Sequence, residues 1–160
     1  MNTRKWNLNA LVTVALLSGL VQAAAGVFMY LTGFYFSSWS MAVTLIVLCF
    51  CIVFGVNWYH NNHRGGFGYL QAFLTAVAIS VGTGIVYAIY NLISINFLYT
   101  NFLDEVARTR MASGMPGSFE SIRSQTTAAS MALGNLIRLS VLGTVFSAFA
   151  ALFLRAPVRP

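Results

Sequence analysis

Charge is scarce in this chain, and acid is scarcer still. Its 160 residues hold nine Lys and Arg but only three Asp and Glu, so 8% of the sequence is charged. Soluble domains carry about a quarter charged residues, because a water-facing surface has to be solvated. That shortage excludes an ordinary soluble surface. A nucleic-acid interface is excluded with it: the net charge is +6, but the basic residues sit singly near the ends of apolar runs and build no continuous basic face. The three acids, Asp104, Glu105 and Glu120, all fall in one polar segment, so no apolar run holds a carboxylate. Their absence there argues against a proton- or cation-coupled transporter. Only two cysteines are present, Cys49 and Cys51, both inside an apolar run. Two residues apart on a helix they point to nearly opposite sides, so they read as small hydrophobes and not as a disulfide. Catalytic constellations are missing too. No Gly-rich phosphate loop runs into a Lys, and there is no metalloprotease helix motif. His60 and His63 are expected across the membrane from the three acids, so they cannot form one acid–base site. The expectation is no enzyme and no cofactor.

What is present is apolar length: 58% of residues are hydrophobic and the mean hydropathy is +0.75. The expected fold is all-α, a single domain over 1–160, an integral membrane bundle of four transmembrane helices. The spans are expected at about 9–34, 40–59, 69–100 and 131–154, against the ~20 residues a span requires. The start of the chain, with Arg4, Lys5 and Val21-Gln22-Ala23, mimics a signal peptide. Its apolar run continues through Gly26 to Leu31, so it reads as an uncleaved span. Trp39, Trp58 and Tyr59 sit where interfacial aromatic belts belong.

The third run is longer than a bilayer needs, since 32 residues of helix measure about 48 Å against a core of about 30 Å. Helix is expected to continue through Asp104 and Arg108, an i,i+4 pair, to the turn Ala112–Gly117. Ser118 is the expected N-cap of the returning helix, with Glu120 in its first turn and Arg123 three residues further on. Helices 3 and 4 should thus extend into a long hairpin on the outer side, its tip at about 101–130 packed by Phe102, Val106, Phe119 and Ile122. The ends and second loop hold Arg4, Lys5, Arg64, Arg155 and Arg159; the opposite side holds Arg108, Arg110 and Arg123 beside the three acids. Positive-inside counting puts both termini in the cytoplasm. The two hairpins differ in length and loop chemistry, so an inverted repeat is not indicated.

Two sets of residues are candidate sites. Arg138 lies about two turns into the fourth run, and an ionisable group inside a membrane is a functional candidate by default. Gln22, Asn91, Asn96 and Asn135 are its possible polar partners; the competing reading has Arg138 snorkelling to the outer boundary. Small residues four apart, among them Gly82, Gly84, Gly143, Ser147 and Ala151, form a candidate helix-packing face, serving this bundle or a neighbour. His60 and His63 are spaced to share a helical face, but a third metal ligand is not apparent.

From the second loop onward the chain resembles an uncharacterised family of small four-span bacterial membrane proteins, a domain of unknown function. The resemblance is carried by Arg64-Gly65-Gly66-Phe67-Gly68-Tyr69-Leu70-Gln71-Ala72-Phe73 and by Tyr90 to Asp104. It covers roughly residues 60 to 155 and implies four spans in a bacterial inner membrane, and no reaction. Similar proteins leave the third span through an Asn-Pro-Asp-Phe-like segment. Thr100-Asn101-Phe102-Leu103-Asp104 lacks that proline, so the third helix is expected to run on unbroken. The functional expectation is a non-enzymatic accessory or scaffolding subunit, its partners the lipid bilayer and a membrane protein or a second copy. The alternative is a small transporter or channel, possibly oligomeric.

Overall fold

The computed structural model describes residues 7–37, 39–62, 67–99 and 101–154. The architecture is all-helical. Four helices are long and apolar enough to cross a membrane: α1 (Leu8–Leu31), α2 (Ser40–Asn61), α3 (Tyr69–Ile93, prolonged by a π-helical turn to Leu98) and α6 (Ala128–Leu154). Two short helices, α4 (Phe102–Ala112) and α5 (Phe119–Gln125), lie between α3 and α6. The end of the bundle that carries them is called distal here; α1 starts and α6 finishes at the proximal end. Arg4, Lys5, His63, Arg64, Arg155 and Arg159 lie outside the described residues, and with them most of the charge count behind the orientation.

Local chemistry fixes where the helices start and stop. The Asn7 side chain accepts a hydrogen bond from the Ala10 amide at 3.1 Å, capping α1. Gly33, at φ 70°, ends the same helix in the left-handed conformation that glycine adopts without penalty. That stop comes at Leu31, before the Phe34–Phe36 turn. Ser118 caps α5 by accepting from the Ser121 amide, as its sequence position indicated. Thr127 and Ser130 cap α6 reciprocally: each hydroxyl accepts from the other's amide, at 3.1 and 3.0 Å.

The third helix does not run on unbroken to Met111. It widens into the π turn Ser94–Leu98, closed by the Tyr99 amide on the Ser94 carbonyl at 2.9 Å, and leaves helical geometry at Tyr99. Packing replaces the missing proline as the cause. The turn swings the Tyr99 ring onto Tyr30, with centroids 3.8 Å apart, and its hydroxyl meets that of Tyr90 at 2.9 Å. The hairpin therefore consists of separate short helices, folded over the distal end around buried Phe102, Val106 and Ile122. Asp104 pairs with Arg123 across α4 and α5, not with Arg108 along its own helix. Arg110 ties α4 to the start of α6 through the Thr126 hydroxyl at 3.0 Å.

α3 is the central helix: half of its most apolar stretch is buried, against a third or less for the other three spans. Its small residues divide between two neighbours. A Cβ added to Gly82 would stand 2.6 Å from the Ala15 Cβ, so that side lies against α1. Ser80 and Gly84 face α6, where Ser80 donates to the Leu139 carbonyl at 3.0 Å and overlaps the space a Cβ on Gly143 would need. α2 closes the bundle, with Gly55 against Val14 and Ile79. Without a hydrophobic driving force between helices in lipid, such close approach through small residues is the main source of cohesion.

Candidate functional site

The four amide side chains read as partners of Arg138 lie on α1, on α3 with its π turn, and on α6. Gln22 of α1 is fully buried and donates to the Thr44 carbonyl of α2 at 3.3 Å; its Oε1 has no partner. Asn91 of α3 is buried and gives its amide to the Tyr87 carbonyl at 2.9 Å. Asn96 is exposed and donates to the Leu92 carbonyl at 2.8 Å. These three amides therefore serve backbone carbonyls, and none reaches Arg138. Asn135 differs. It is 9% exposed, and its Nδ2 is closed off inside the bundle, facing the Tyr35 hydroxyl and not a backbone carbonyl.

Arg138 follows Asn135 by three residues on α6, and its side chain is exposed on the outside of the bundle. The register of the small-residue contacts gives its level in the bundle. Gly84 packs between Leu136 and Ser140, so Arg138 is level with Gly84; Gly82 meets Ala15, and Gly19 meets Val86. Arg138 thus stands opposite the stretch of α1 between Ala15 and Gly19. The centre of α1, which covers Leu8–Leu31, falls just beyond Gly19. The offset is about three residues, or about 4 Å. The Trp pair on α2 gives the same scale: Trp39 and Trp58 are separated by about 28 Å of helix, close to the ~30 Å of a hydrocarbon core. Arg138 thus lies within the fourth span, level with Gly84 of α3. Side chains on a helix lean toward its N-terminus, which for α6 is the distal end.

In that direction lie Asn135 and Tyr35. Burial pushes the Tyr35 hydroxyl above the usual tyrosine range, while hydrogen bonding to Asn135 and the Arg138 charge act against the rise. Tyr35 comes from the short turn after α1, and its ring stands edge-on to Phe102 at 5.0 Å. Gly26, Tyr30, Tyr35, Tyr90, Asn91, Ile95, Tyr99 and Phe102 enclose a cavity of about 10 Å³, room for one water at most. The sequence reading missed this tyrosine-rich cap. Its signal was present in the clustering of Tyr30, Phe34, Tyr35, Phe36, Phe97, Tyr99 and Phe102 on both sides of the distal end.

The five small residues Gly82, Gly84, Gly143, Ser147 and Ala151 lie inside the bundle. Ser147 is 0% and Ala151 1% exposed, Gly82 meets α1, Gly84 meets α6, and Gly143 meets Ser80 of α3 and Leu48 of α2. One glycine of α6 is different: a Cβ added to Gly134 would meet no atom within 4 Å, so it opens onto the exposed face that carries Arg138. A second exposed feature is an apolar groove of about 190 Å³ between α1 and α2, lined by Leu17, Val21, Phe50, Phe54 and Trp58 among others. Cys51 borders it and is a free thiol, as is Cys49.

No curated protein and no solved structure matches the chain. A family model described as "Protein of unknown function (DUF4199)" matches residues 13–156, which takes in the distal helices and all four spans except the first residues of α1. On that match the chain belongs to this family of unknown function.

Proposed function

We propose that the chain is a non-enzymatic accessory or scaffolding subunit of a membrane assembly, inserted in a bacterial inner membrane with both termini in the cytoplasm. The observation that supports this reading is the position of Arg138: the one charged side chain among the described span residues sits on the outside of the bundle, within the fourth span. Transporters keep intramembrane charge inward, along the path of the substrate, because lipid solvates it poorly. A subunit that docks has reason to present it outward. The interior is meanwhile occupied, since Gly82 and Gly143 bring α3 against α1 and α6 with no room for a side chain between them.

A small transporter or channel, possibly oligomeric, is the second reading. It draws on three buried polar atoms without partners in the core, Gln22 Oε1, Thr75 Oγ1 and Thr83 Oγ1. Photo-crosslinking in native membranes separates the two. Benzophenone side chains at Ile137 and Val141 on the exposed face of α6 should give a discrete adduct with another protein. Adducts with lipid alone, together with solute flux through vesicles containing the purified chain, would replace the subunit reading by the transport reading.

A further inference from the structure

We propose that the groove between the end of α1 and the exposed edge of α4 binds the headgroup of a phospholipid with a primary ammonium beside its phosphate, that is, phosphatidylethanolamine. The proposal goes beyond the subunit reading and is independent of which side of the membrane the distal end faces. The groove measures about 560 Å³, within the ~300–1,000 Å³ of small-ligand sites. Tyr30, Leu31, Gly33 and Phe36 line it from α1 and the turn that follows, and Glu105 and Arg108 line it from α4. α4 buries Phe102, Val106 and Ala107, so Glu105 and Arg108 stand on its exposed edge. They are spaced i,i+3, as ion pairs along a helix are. Yet the pair does not close: the one ion pair among the described residues is Arg123–Asp104. The Tyr30 ring is held against Tyr99, and its hydroxyl has no hydrogen bond among the described residues. Gly33 leaves space beside these groups, since a Cβ there would meet nothing within 4 Å.

A carboxylate, a guanidinium and a phenol hydroxyl, all unpaired around one groove, are complementary to a ligand that carries both charges. A phosphate accepts from the guanidinium, and a primary ammonium donates to the carboxylate. A choline headgroup has the same two charges but no N–H to donate, and a glycerol headgroup leaves Glu105 without a cation. The place of the groove supplies the chains of the ligand. α1 is long and apolar enough to cross a membrane, and the groove lies at its distal end, where a span meets the headgroups. Leu31 and Phe28, 75% and 68% exposed, are one turn apart on the same face of α1, so the apolar side of the groove continues along the outside of the bundle. Trp39, 72% exposed before α2, stands at the same end, as interfacial tryptophans do. Charge above an apolar helix face is the order of groups in an amphiphile at a boundary; a free zwitterion in water would leave the apolar part unused.

The test is native mass spectrometry of the full chain released from detergent, titrated with phosphatidylethanolamine, phosphatidylcholine or phosphatidylglycerol of identical acyl chains. The expected result is binding of the ethanolamine lipid about five-fold tighter than of the other two, the scale of one exposed charge pair. Glu105→Gln should bring the ethanolamine lipid down to the choline lipid, and Arg108→Gln should weaken those two lipids alike. Glu120→Gln removes an exposed acid of α5 outside the groove and should change neither. All three side chains are exposed, and circular dichroism in the same detergent checks that each variant keeps the helical content of the parent. Equal binding of the three lipids overturns the proposal. So does a preference that survives Glu105→Gln, or one that Glu120→Gln removes as well. Displacement of the bound lipid by soluble glycerophosphoethanolamine at equal concentration overturns the assignment to a lipid, because the chains would then add nothing.

Discussion

Replacing Gly143 by alanine inserts one methyl group where α3 and α6 are closest. The new Cβ would overlap the Ser80 Oγ and lie 2.7 Å from the Ser80 Cβ, with Leu48 Cδ2 at 3.4 Å behind it. The hydroxyl can rotate away, at the expense of its bond to the Leu139 carbonyl. The Ser80 Cβ cannot, because it is fixed to the α3 backbone. Carbon atoms pack at about 3.5–4.0 Å, so the two helices must part by about 1 Å along this contact. Overpacking of that kind costs about 1–3 kcal/mol, and the lost interhelical hydrogen bond adds about 0.6 kcal/mol in a membrane setting. Gly143→Ala should therefore destabilise the bundle by about 2–3 kcal/mol, read as unfolding by sodium dodecyl sulfate titration in mixed micelles. Ser80→Gly in the same chain removes both clashing atoms and should restore about half of the loss or more. The double-mutant cycle isolates the contact. A single mutant within about 0.5 kcal/mol of the parent, or a double mutant no more stable than the single, would refute the register of α3 on α6.

Three further outcomes follow from the distal end. Phe102→Ala, at a site 2% exposed and ringed by Tyr30, Tyr35, Phe36 and Tyr99, should cost about 3–5 kcal/mol and speed amide exchange through α4 and α5. Unchanged exchange there would show that the cap is not held by its aromatic core. Asp104→Ala removes a partly exposed ion pair with Arg123, so the global loss should stay below about 1 kcal/mol and vanish at high salt; a larger, salt-insensitive loss would be contrary. Tyr35 titrates above the ordinary value of 10.0 because it is buried. Neutral Tyr35 thus contributes stability in full below pH 10, and the contribution falls away as pH rises through the raised folded value. The parent should lose stability relative to Tyr35→Phe only on that alkaline side, and parallel curves across it would refute the burial.

The span count was legible because lipid leaves a coarse mark: runs of twenty or more apolar residues have one common explanation, and the four runs became α1, α2, α3 and α6. Helix ends were legible where a single residue decides them, as at Ser118. The break after the third span was not. Sequence offered a missing proline as grounds for continuity, yet the helix ends at Tyr99 for a reason that needs four separated segments. Tyr30, Tyr35, Tyr90 and Phe102 must first be brought together before Tyr99 gains from leaving the helix. The same holds for Asp104, whose i,i+4 neighbour Arg108 was the obvious partner until α5 delivered Arg123.

Arg138 shows how far one-dimensional counting reaches. Measured along its own helix, the arginine stands about two turns into an apolar run, and the residues after it nearly suffice for a span, which points to the rim. Depth is a property of the bundle, however, and α6 is registered against α3 and α1 by Gly143, Gly84, Gly82 and Gly19. Those contacts set Arg138 level with Gly84 of α3 and with the Ala15–Gly19 stretch of α1. Exposure is likewise invisible in the run: Ser130, Gly134 and Arg138 share one stripe, while Gly143, Ser147 and Ala151 share another. Only the structure shows that the second stripe is filled by α3 and the first by nothing among the described residues. The small residues thus divide into those that build the bundle and those left beside a charge. That division leaves Gly134 and Arg138 on a face that no described helix of this chain covers.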